Sequence, residues 1–396
     1  MFLLGERVVD DSNKKTEAIN SLVLFKMKLH WVKRLTLQST LIYLFAGMVS
    51  CSSPSLQTVA GPEDESILKN THGYVLFNAG HDLTSMSIPD LKTKIIRNRQ
   101  DSESIYAIAG PDENGSIVYV ENHMMGKRHF LKTITLNDSV ESIIFERTGD
   151  AIWDSVIGRD IALSHSGGKV AFVGKHRIPQ ISPSKWHKKA GILEYGLLEI
   201  WLIESQTSIA TKIYAIDRGM AWLPDNNRLA YTALLPRNQI IHELSKQKVG
   251  GGFDEWDRVP AVMVFDLKDK TSQFLHVGWS PVVSLDGKSV VVSDLTGKHW
   301  FVDVESKHSR LIQWPGDWMG AISFVGKDLI LYWGLPTTGS KQEQTIKNSP
   351  LIGPKPMGTL KVANLNTGKF KTVLSPVDPR MQVSFGMPAV VRLSSF

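Results

Sequence analysis

The sequence repeats one short unit: an apolar strand, a tight polar turn and a second apolar strand. Asp, Asn and Gly fill the turns, and these residues tolerate the positive φ that a tight hairpin needs. A chain with such a repeat must bury similar hairpins against one another, so the repeat decides the architecture before any other feature. The copies lie at 161–173, 220–232, 282–293 and 321–332, with a looser one at 105–120.

Each copy continues with a third and a fourth strand, as in Ala261–Asp266 followed by Ser272–Leu275. Equivalent turn residues in three copies, Ser164, Leu223 and Ser284, are 59 and 61 residues apart. Without the apparent insertions 178–198 and 236–260, these spacings fall to 38 and 36 residues, close to the roughly 40-residue period of propeller blades. Four-stranded units repeated in line are typical of a β-propeller.

The two ends of this region complement each other. Residues 73–77, 83–88 and 92–96 read as three strands that lack an inner partner, and the apolar segment Gln382–Leu393 has no unit of its own. We expect that segment to supply the missing strand, because a ring closed by both ends has no free sheet edge. The prediction is an all-β protein with a six-bladed β-propeller over residues 73–396. Five or seven blades are the alternative counts, and a pair of β-sandwiches is the rival architecture.

The turns themselves resemble those of a known family. Leu285-Asp286-Gly287-Lys288 and Ser164-His165-Ser166-Gly167-Gly168 are similar to the Ser-Pro-Asp-Gly-Lys turns of TolB-like and WD-repeat-like propellers, and Pro224-Asp225 shows the same element. The resemblance covers roughly residues 73–396, by pattern. It implies the propeller fold, whereas fold analogy alone assigns no activity.

The segment before the repeats resembles a bacterial lipoprotein signal. Met27–Ser50 combines basic residues with an apolar stretch over 35–49, and Cys51 follows directly. The resemblance implies that Cys51 is acylated and becomes the first mature residue, and several acyl chains suffice for stable anchoring. The alternative for a lone cysteine is a buried, inert side chain.

Residues 1–26 carry acids that suit no signal, so we interpret them as a mis-assigned start or a cleaved extension. Residues 51–72 read as a flexible polar tether.

Composition and the absence of known motifs in the sequence exclude several classes of function. The chain has 45 basic and 39 acidic residues, of which 38 and 35 remain after residue 50, so its net charge is poor evidence for nucleic-acid binding. One cysteine excludes a disulfide framework and any multi-cysteine metal site. The sequence contains no Gly-x-Ser-x-Gly elbow, phosphate loop, dinucleotide glycine pattern or His-Glu-x-x-His motif. No catalytic residue, metal ligand or cofactor is predicted.

Three insertions, 178–198, 236–260 and 335–357, fall between the second and third strands of their units. In a propeller those connections share a rim with the fourth-to-first connections, so we expect one loop-rich face. Aromatic and charged residues on loops above a rigid scaffold are typical of binding faces. Trp153 and Trp318 have an alternative role as plugs between blades, and His187 as a solvated loop residue. The candidates are Trp153, Asp154, Trp186, His187, Arg218, Trp256, Arg258, Asp317 and Trp318.

These features favour a noncatalytic envelope lipoprotein that binds a protein, peptide or glycan partner on the loop-rich face. We expect a monomer that contacts the membrane through Cys51 and binds no nucleic acid. Ser52 after the cysteine resembles the outer-membrane sorting choice, so the predicted location is the outer membrane, facing the periplasm. The alternative is a hydrolase or lactonase whose acidic central channel, with Asp154, Asp217 and Asp317, could hold a metal.

Overall fold

The chain divides into two compact units, Met1–Gln57 and Thr58–Phe396. The computed structural model describes parts of the second unit only, so the predicted signal and Cys51 lie outside the described residues. The described ranges are 63–79, 82–98, 103–123, 128–137, 140–148, 157–174, 195–246, 258–312, 318–334, 358–377 and 383–386.

The described ranges consist almost entirely of strands. A six-residue helix, α1 (Ile241–Lys246), lies where the sequence shows its best helical periodicity, and no helix in these ranges is long and apolar enough to cross a membrane. The strands are β1 (Gly73–Ala79), β2 (Asp82–Ile88), β3 (Thr93–Arg97), β4 (Glu103–Ala109), β5 (Ser116–His123), β6 (Arg128–Thr135), β7 (Glu141–Thr148), β8 (Ile157–Leu163), β9 (Lys169–Gly174), β10 (Tyr195–Leu202), β11 (Thr207–Trp222), β12 (Arg228–Pro236), β13 (Arg258–Asp266), β14 (Thr271–Val277), β15 (Trp279–Val283), β16 (Ser289–Ser293), β17 (His299–Asp303), β18 (Ser309–Leu311), β19 (Trp318–Phe324), β20 (Leu329–Gly334), β21 (Gly358–Asn364), β22 (Phe370–Val377) and β23 (Val383–Gly386).

These strands form antiparallel sheets arranged as a propeller. Four sheets have four strands each, in the orders β23-β1-β2-β3, β4-β5-β6-β7, β15-β16-β17-β18 and β19-β20-β21-β22. A fifth sheet runs continuously from β8 to β14. It holds the strands predicted for two blades, but β11 serves as the fourth strand of one and the first of the next. The propeller fold is therefore confirmed, whereas the count of six separate blades stays a prediction.

The repeated hairpins explain the local structure. All five predicted copies form first-to-second strand hairpins, from β4–β5 to β19–β20. Their turns use the residues expected for positive φ: Gly115 at +80°, Gly167 at +77°, Asn226 at +58° and Gly287 at +69°. The Asp286 carboxylate accepts hydrogen bonds from the Ser284 hydroxyl and from the Lys288 backbone N–H, which keep the pKa of this carboxyl below its usual range.

The carboxy-terminal strand closes the ring, as predicted. β23 pairs with β1 from Tyr74 opposite Gly386 to Phe77 opposite Val383. The Ser384 hydroxyl also donates to the Gly110 carbonyl of the next sheet, at 2.9 Å. The inner strands contact one another in the order β4, β8, β11, β15, β19 and β23, and β23 contacts β4 again.

The core lies between neighbouring sheets, which explains the continuous apolar runs. Along β5, Ile117 and Tyr119 pack toward the sheet β23-β1-β2-β3, and Val118 and Val120 pack toward β8 and β9 of the long sheet. All four side chains are fully buried. Both faces of such a strand are covered, so alternation of polar and apolar residues disappears.

One part of the predicted tether is packed instead of free. Glu63 forms a parallel bridge with Phe370 of β22, and a 3₁₀ turn, Glu65–Leu68, follows. Leu68 is buried in the cluster between the last and first sheets. The sequence prediction missed this contact because the segment is polar apart from Ile67 and Leu68.

Candidate binding face

The three insertions connect the strands that the sequence predicted. The insertions join β9 to β10, β12 to β13 and β20 to β21, which are the second-to-third connections. Their roots are hairpin ends, with Pro236 opposite Arg258 and Gly334 opposite Thr359. The strand ends at the roots of these three connections define what we call the loop face. They are Gly174, Tyr195, Pro236, Arg258, Gly334 and Gly358.

Strand register shows that the first two insertions leave from one edge. A row of paired residues crosses the long sheet from Gly196 to Ala215, Ala233, Ala261 and Val277. Gly196 is the second residue of β10, the strand into which the first insertion leads, and Ala233 and Ala261 lie near the root of the second insertion. The two insertions are therefore rooted side by side on the loop face.

One connection between four-stranded units is not a loop. Asp217-Arg218-Gly219 stands where a fourth strand would be joined to the next first strand, but all three residues lie within β11. The register shifts between Ala215 and Met220, and Gly219 adopts a φ of +80°. The chain thus passes from one four-stranded unit to the next through an irregular strand.

The irregularity at Gly219 is held from both sides. Its backbone N–H donates to the Asp160 carboxylate of β8 at 2.6 Å. A Cβ at Gly219 would lie 2.7 Å from the Cα of Ser280, so only glycine fits between the inner strands β11 and β15. The Asp160 carboxylate therefore stabilises the irregular part of β11 by accepting this hydrogen bond.

The structure describes few of the predicted site residues. Arg258 begins β13 and is half-buried, and its guanidinium donates to the Leu234 carbonyl of β12 at 3.3 Å. It holds the root of the second insertion. Arg218 lies in β11 and Trp318 begins β19, but the structure describes only their backbones. The remaining predicted site residues lie outside the described residues: Cys51, Trp153, Asp154, Trp186, His187, Trp256 and Asp317.

A buried charge cluster between the first two sheets was not predicted from the sequence. Glu121 of β5 is fully buried and contacts three basic groups. Its carboxylate lies 2.5 Å from the Arg97 guanidinium, 2.5 Å from His123 Nε2 and 2.8 Å from Lys132 Nζ. Arg97 comes from the first sheet and also pairs with Glu141 of β7. We call Arg97, Glu121, His123, Lys132 and Glu141 the Glu121 cluster, and it links the first two sheets.

Local sequence carried a partial signal for this cluster. Glu121 follows Ile117 and Tyr119 at two-residue spacing, so it occupies a position on a buried strand face. A buried carboxylate requires partners because desolvation of an unpaired charge is very costly. Its partner from β3, Arg97, is 24 residues earlier in the chain, and no local pattern predicts that pairing.

A second polar cluster lies between the long sheet and β15–β18. The His299 ring Nδ1 and the Ser293 hydroxyl are 2.9 Å apart, and both residues are buried. The Asp294 carboxylate accepts from Trp300 Nε1 at 2.8 Å and from backbone N–H groups of its own turn. The Asp294 carboxylate is therefore engaged by its own turn and by the indole of Trp300.

Burial lowers the pKa of two histidines of this cluster. Desolvation lowers the pKa of His299 to about 4, although the nearby Asp294 carboxylate opposes the shift. Desolvation also lowers the pKa of His276, against the hydrogen bond to the Val277 carbonyl and the charges of Asp294 and Glu243. Among the described residues no group of three His, Cys, Asp or Glu side chains could hold a metal ion.

We predict that His299 makes the protein acid-sensitive. Its pKa is lower in the folded state than the ordinary 6.5, so the unfolded chain binds the proton first as the pH falls. Stability should be full above about pH 6.5 and decline toward pH 4, by on the order of 3 kcal/mol from this residue. Urea unfolding of His299→Asn should show a flatter pH profile over that window. The exposed His308→Asn is the control, and equal flattening in both variants would contradict the prediction.

Comparisons with known proteins agree with the fold. No known family matches the sequence, and no curated protein matches it. Among solved structures, TolB from Acinetobacter baumannii aligns with a TM-score of 0.51 and 13% identity, over 81% of this chain and 67% of that chain. A nidogen/laminin complex aligns at 0.49 with 9% identity, over 80% and 98%. A putative TolB from Agrobacterium tumefaciens aligns at 0.46 with 15% identity, over 77% and 88%. At 13% identity, the likeness to TolB from Acinetobacter baumannii shows the fold alone, which is a β-propeller.

Proposed function

We propose that this chain is a noncatalytic, lipid-anchored protein of the bacterial envelope that binds a partner on its loop face. The observation that carries the proposal is the position of the insertions. All three occupy second-to-third connections, and two are rooted side by side on one sheet edge. Long loops add little to a propeller core and cost entropy to order, so their accumulation at one kind of connection favours a binding role.

The charge of the insertions indicates the partner. Residues 178–198, 236–260 and 335–357 together contain ten Lys or Arg and six Asp or Glu, a net charge of +4. The whole chain after residue 50 has a net charge of +3, so the remainder is slightly acidic. Basic loops attract an acidic partner surface and accelerate its association. We therefore favour a partner with an acidic surface, whether protein, peptide or glycan.

The site residues of the proposal are those predicted from sequence. Trp186 and Trp256 are the proposed anchors, because tryptophan and arginine contribute most binding energy per residue. Arg258, at the root of the second insertion, holds its hairpin end in place. Cys51 is the proposed lipid attachment site, and the outer membrane, facing the periplasm, is the proposed location.

We predict that Trp186→Ala and Trp256→Ala weaken partner capture at least tenfold while the protein stays folded. The measurement is capture of envelope proteins and glycans by the anchored, full-length chain from its host, with thermal midpoints recorded in parallel. Trp222→Ala is the contrasting variant, because Trp222 is buried in the core and its loss should lower stability instead. Unchanged capture by both loop variants would overturn the proposed anchors.

A further inference from the structure

The outer edge of the last sheet is occupied by a segment of the same chain. Asp64 donates its backbone N–H to the Phe370 carbonyl at 2.8 Å, and the Thr372 N–H donates to the Glu63 carboxylate at 3.0 Å. These bonds fall on the free side of β22, which is otherwise the outermost strand. An open strand edge presents unpaired N–H and C=O groups that can accept another strand.

Charge complementarity reinforces the backbone contacts. The docked segment carries three consecutive acids, and the β22 edge carries two lysines that face them. Lys369 lies 3.1 Å from Asp64, whereas Lys371 contacts Glu63 at 3.6 Å and pairs with Glu65. Hydrogen bonds from Ser66 and Lys369 lower the pKa of Asp64 to about 2, and Glu65 and Glu63 raise the pKa of Lys371.

The segment also contacts the joint between the last and first sheets. Leu68, at the end of the 3₁₀ turn, packs in one cluster with Val75 of β1, Leu360 of β21 and Val373 of β22. β23 closes this joint from the inside, and residues 63–71 cover it from the outside.

We propose that the outer edge of β22 is a docking site for an acidic segment that meets the strand in extended form and then turns, and that Glu63–Thr71 of the same chain is its resident, releasable occupant. Lys369 and Lys371 select the acidic segment, the β22 backbone orders it, and Leu68 fixes its position. Asp64, Glu63 and Glu65 are partly exposed, so salt screens their ion pairs and weakens the contact of the segment with β22. Release of the segment exposes Leu68 but breaks no strand pairing within the sheets. Its departure opens the β22 edge to a second acidic strand.

The first test is hydrogen exchange in the full-length protein. In Lys369→Gln/Lys371→Gln, the Asp64 amide should exchange at least tenfold faster, while amides of β21 and β20 stay protected. Raising NaCl from about 0.05 M to about 0.5 M should accelerate the same amide in the unaltered protein. Lys69→Gln removes a lysine charge of the segment that makes none of these contacts and should change nothing. Unchanged exchange in the double variant would overturn the proposal.

The second test separates the docking site from its occupant. Glu63→Gln/Glu65→Gln weakens the resident segment but leaves both lysines in place. A labelled peptide of residues 61–72 should bind this variant at least tenfold more tightly than it binds Lys369→Gln/Lys371→Gln. Equal binding to the two variants, or none to the first, would show that the β22 edge is no docking site. Thermal midpoints of both variants establish that each is folded.

Discussion

A chain that ends at Pro379 should lose most of its stability. This truncation removes β23, leaves the β1 edge without its partner from Tyr74 to Phe77, and uncovers the cluster between the last and first sheets. It also removes the bond from Ser384 to the next sheet. We expect a loss on the order of 5 kcal/mol or more, comparable with the whole stability of an ordinary domain.

A second truncation provides the matched control. A chain that ends at Met387 keeps β23 and loses only residues beyond it. Its thermal midpoint should fall by much less than that of the chain ending at Pro379, because it keeps the pairing of β23 with β1. If both truncated proteins unfold at the temperature of the full-length chain, β23 does not close the ring.

Within the Glu121 cluster, we expect Glu121→Gln to lower the free energy of unfolding most. The amide keeps the shape of the carboxylate but removes the negative charge that faces Arg97, His123 and Lys132. Breaking a buried ion pair on one side leaves uncompensated charge, which typically costs 3–5 kcal/mol. The free energy of unfolding in urea should fall by about that amount.

Glu141→Gln is the comparison for this experiment. Glu141 pairs with Arg97 in the same cluster, but its side chain is one-third exposed. Solvent screens such a pair, so its loss should cost about 1 kcal/mol or less. Equal destabilisation by the two substitutions would mean that burial of Glu121 contributes nothing special to the contact between the first two sheets.

The architecture was predictable because each strand is short and pairs with a strand that is adjacent to it in the sequence. Ile117 to Val120 forms an uninterrupted apolar run, and the Gly or Asn at each turn marks the hairpin, so strand positions follow from neighbours in sequence. Closure by β23 was also predictable, because an incomplete first unit and an unpaired last segment require each other. The continuous β11 was not, since it depends on Asp160 and Ser280 packing around Gly219.

Charge contacts between distant segments escaped prediction for the same reason. Lys371 and Glu65 are 306 residues apart, and Arg147 of β7 pairs with Glu199 of β10 across 52 residues. No periodicity within a window relates such positions. For the loop face, the sequence correctly predicted which connections carry the insertions, whereas Arg258 proved to hold a hairpin root. The alternative enzymatic reading relied on Asp154, Asp217 and Asp317, whose side chains lie outside the described residues, so it stays untested.

The most direct test of the loop face compares it with the opposite rim in living cells. A photo-reactive amino acid at position 186 or 256 reports partners of the insertions, and one at Asp225 or Asp286 reports partners of the first-to-second turns at the other end of the strands. The proposed function predicts one shared cross-linked partner from 186 and 256 and none from 225 or 286. The same partner from the turn positions, with none from the insertions, would contradict it.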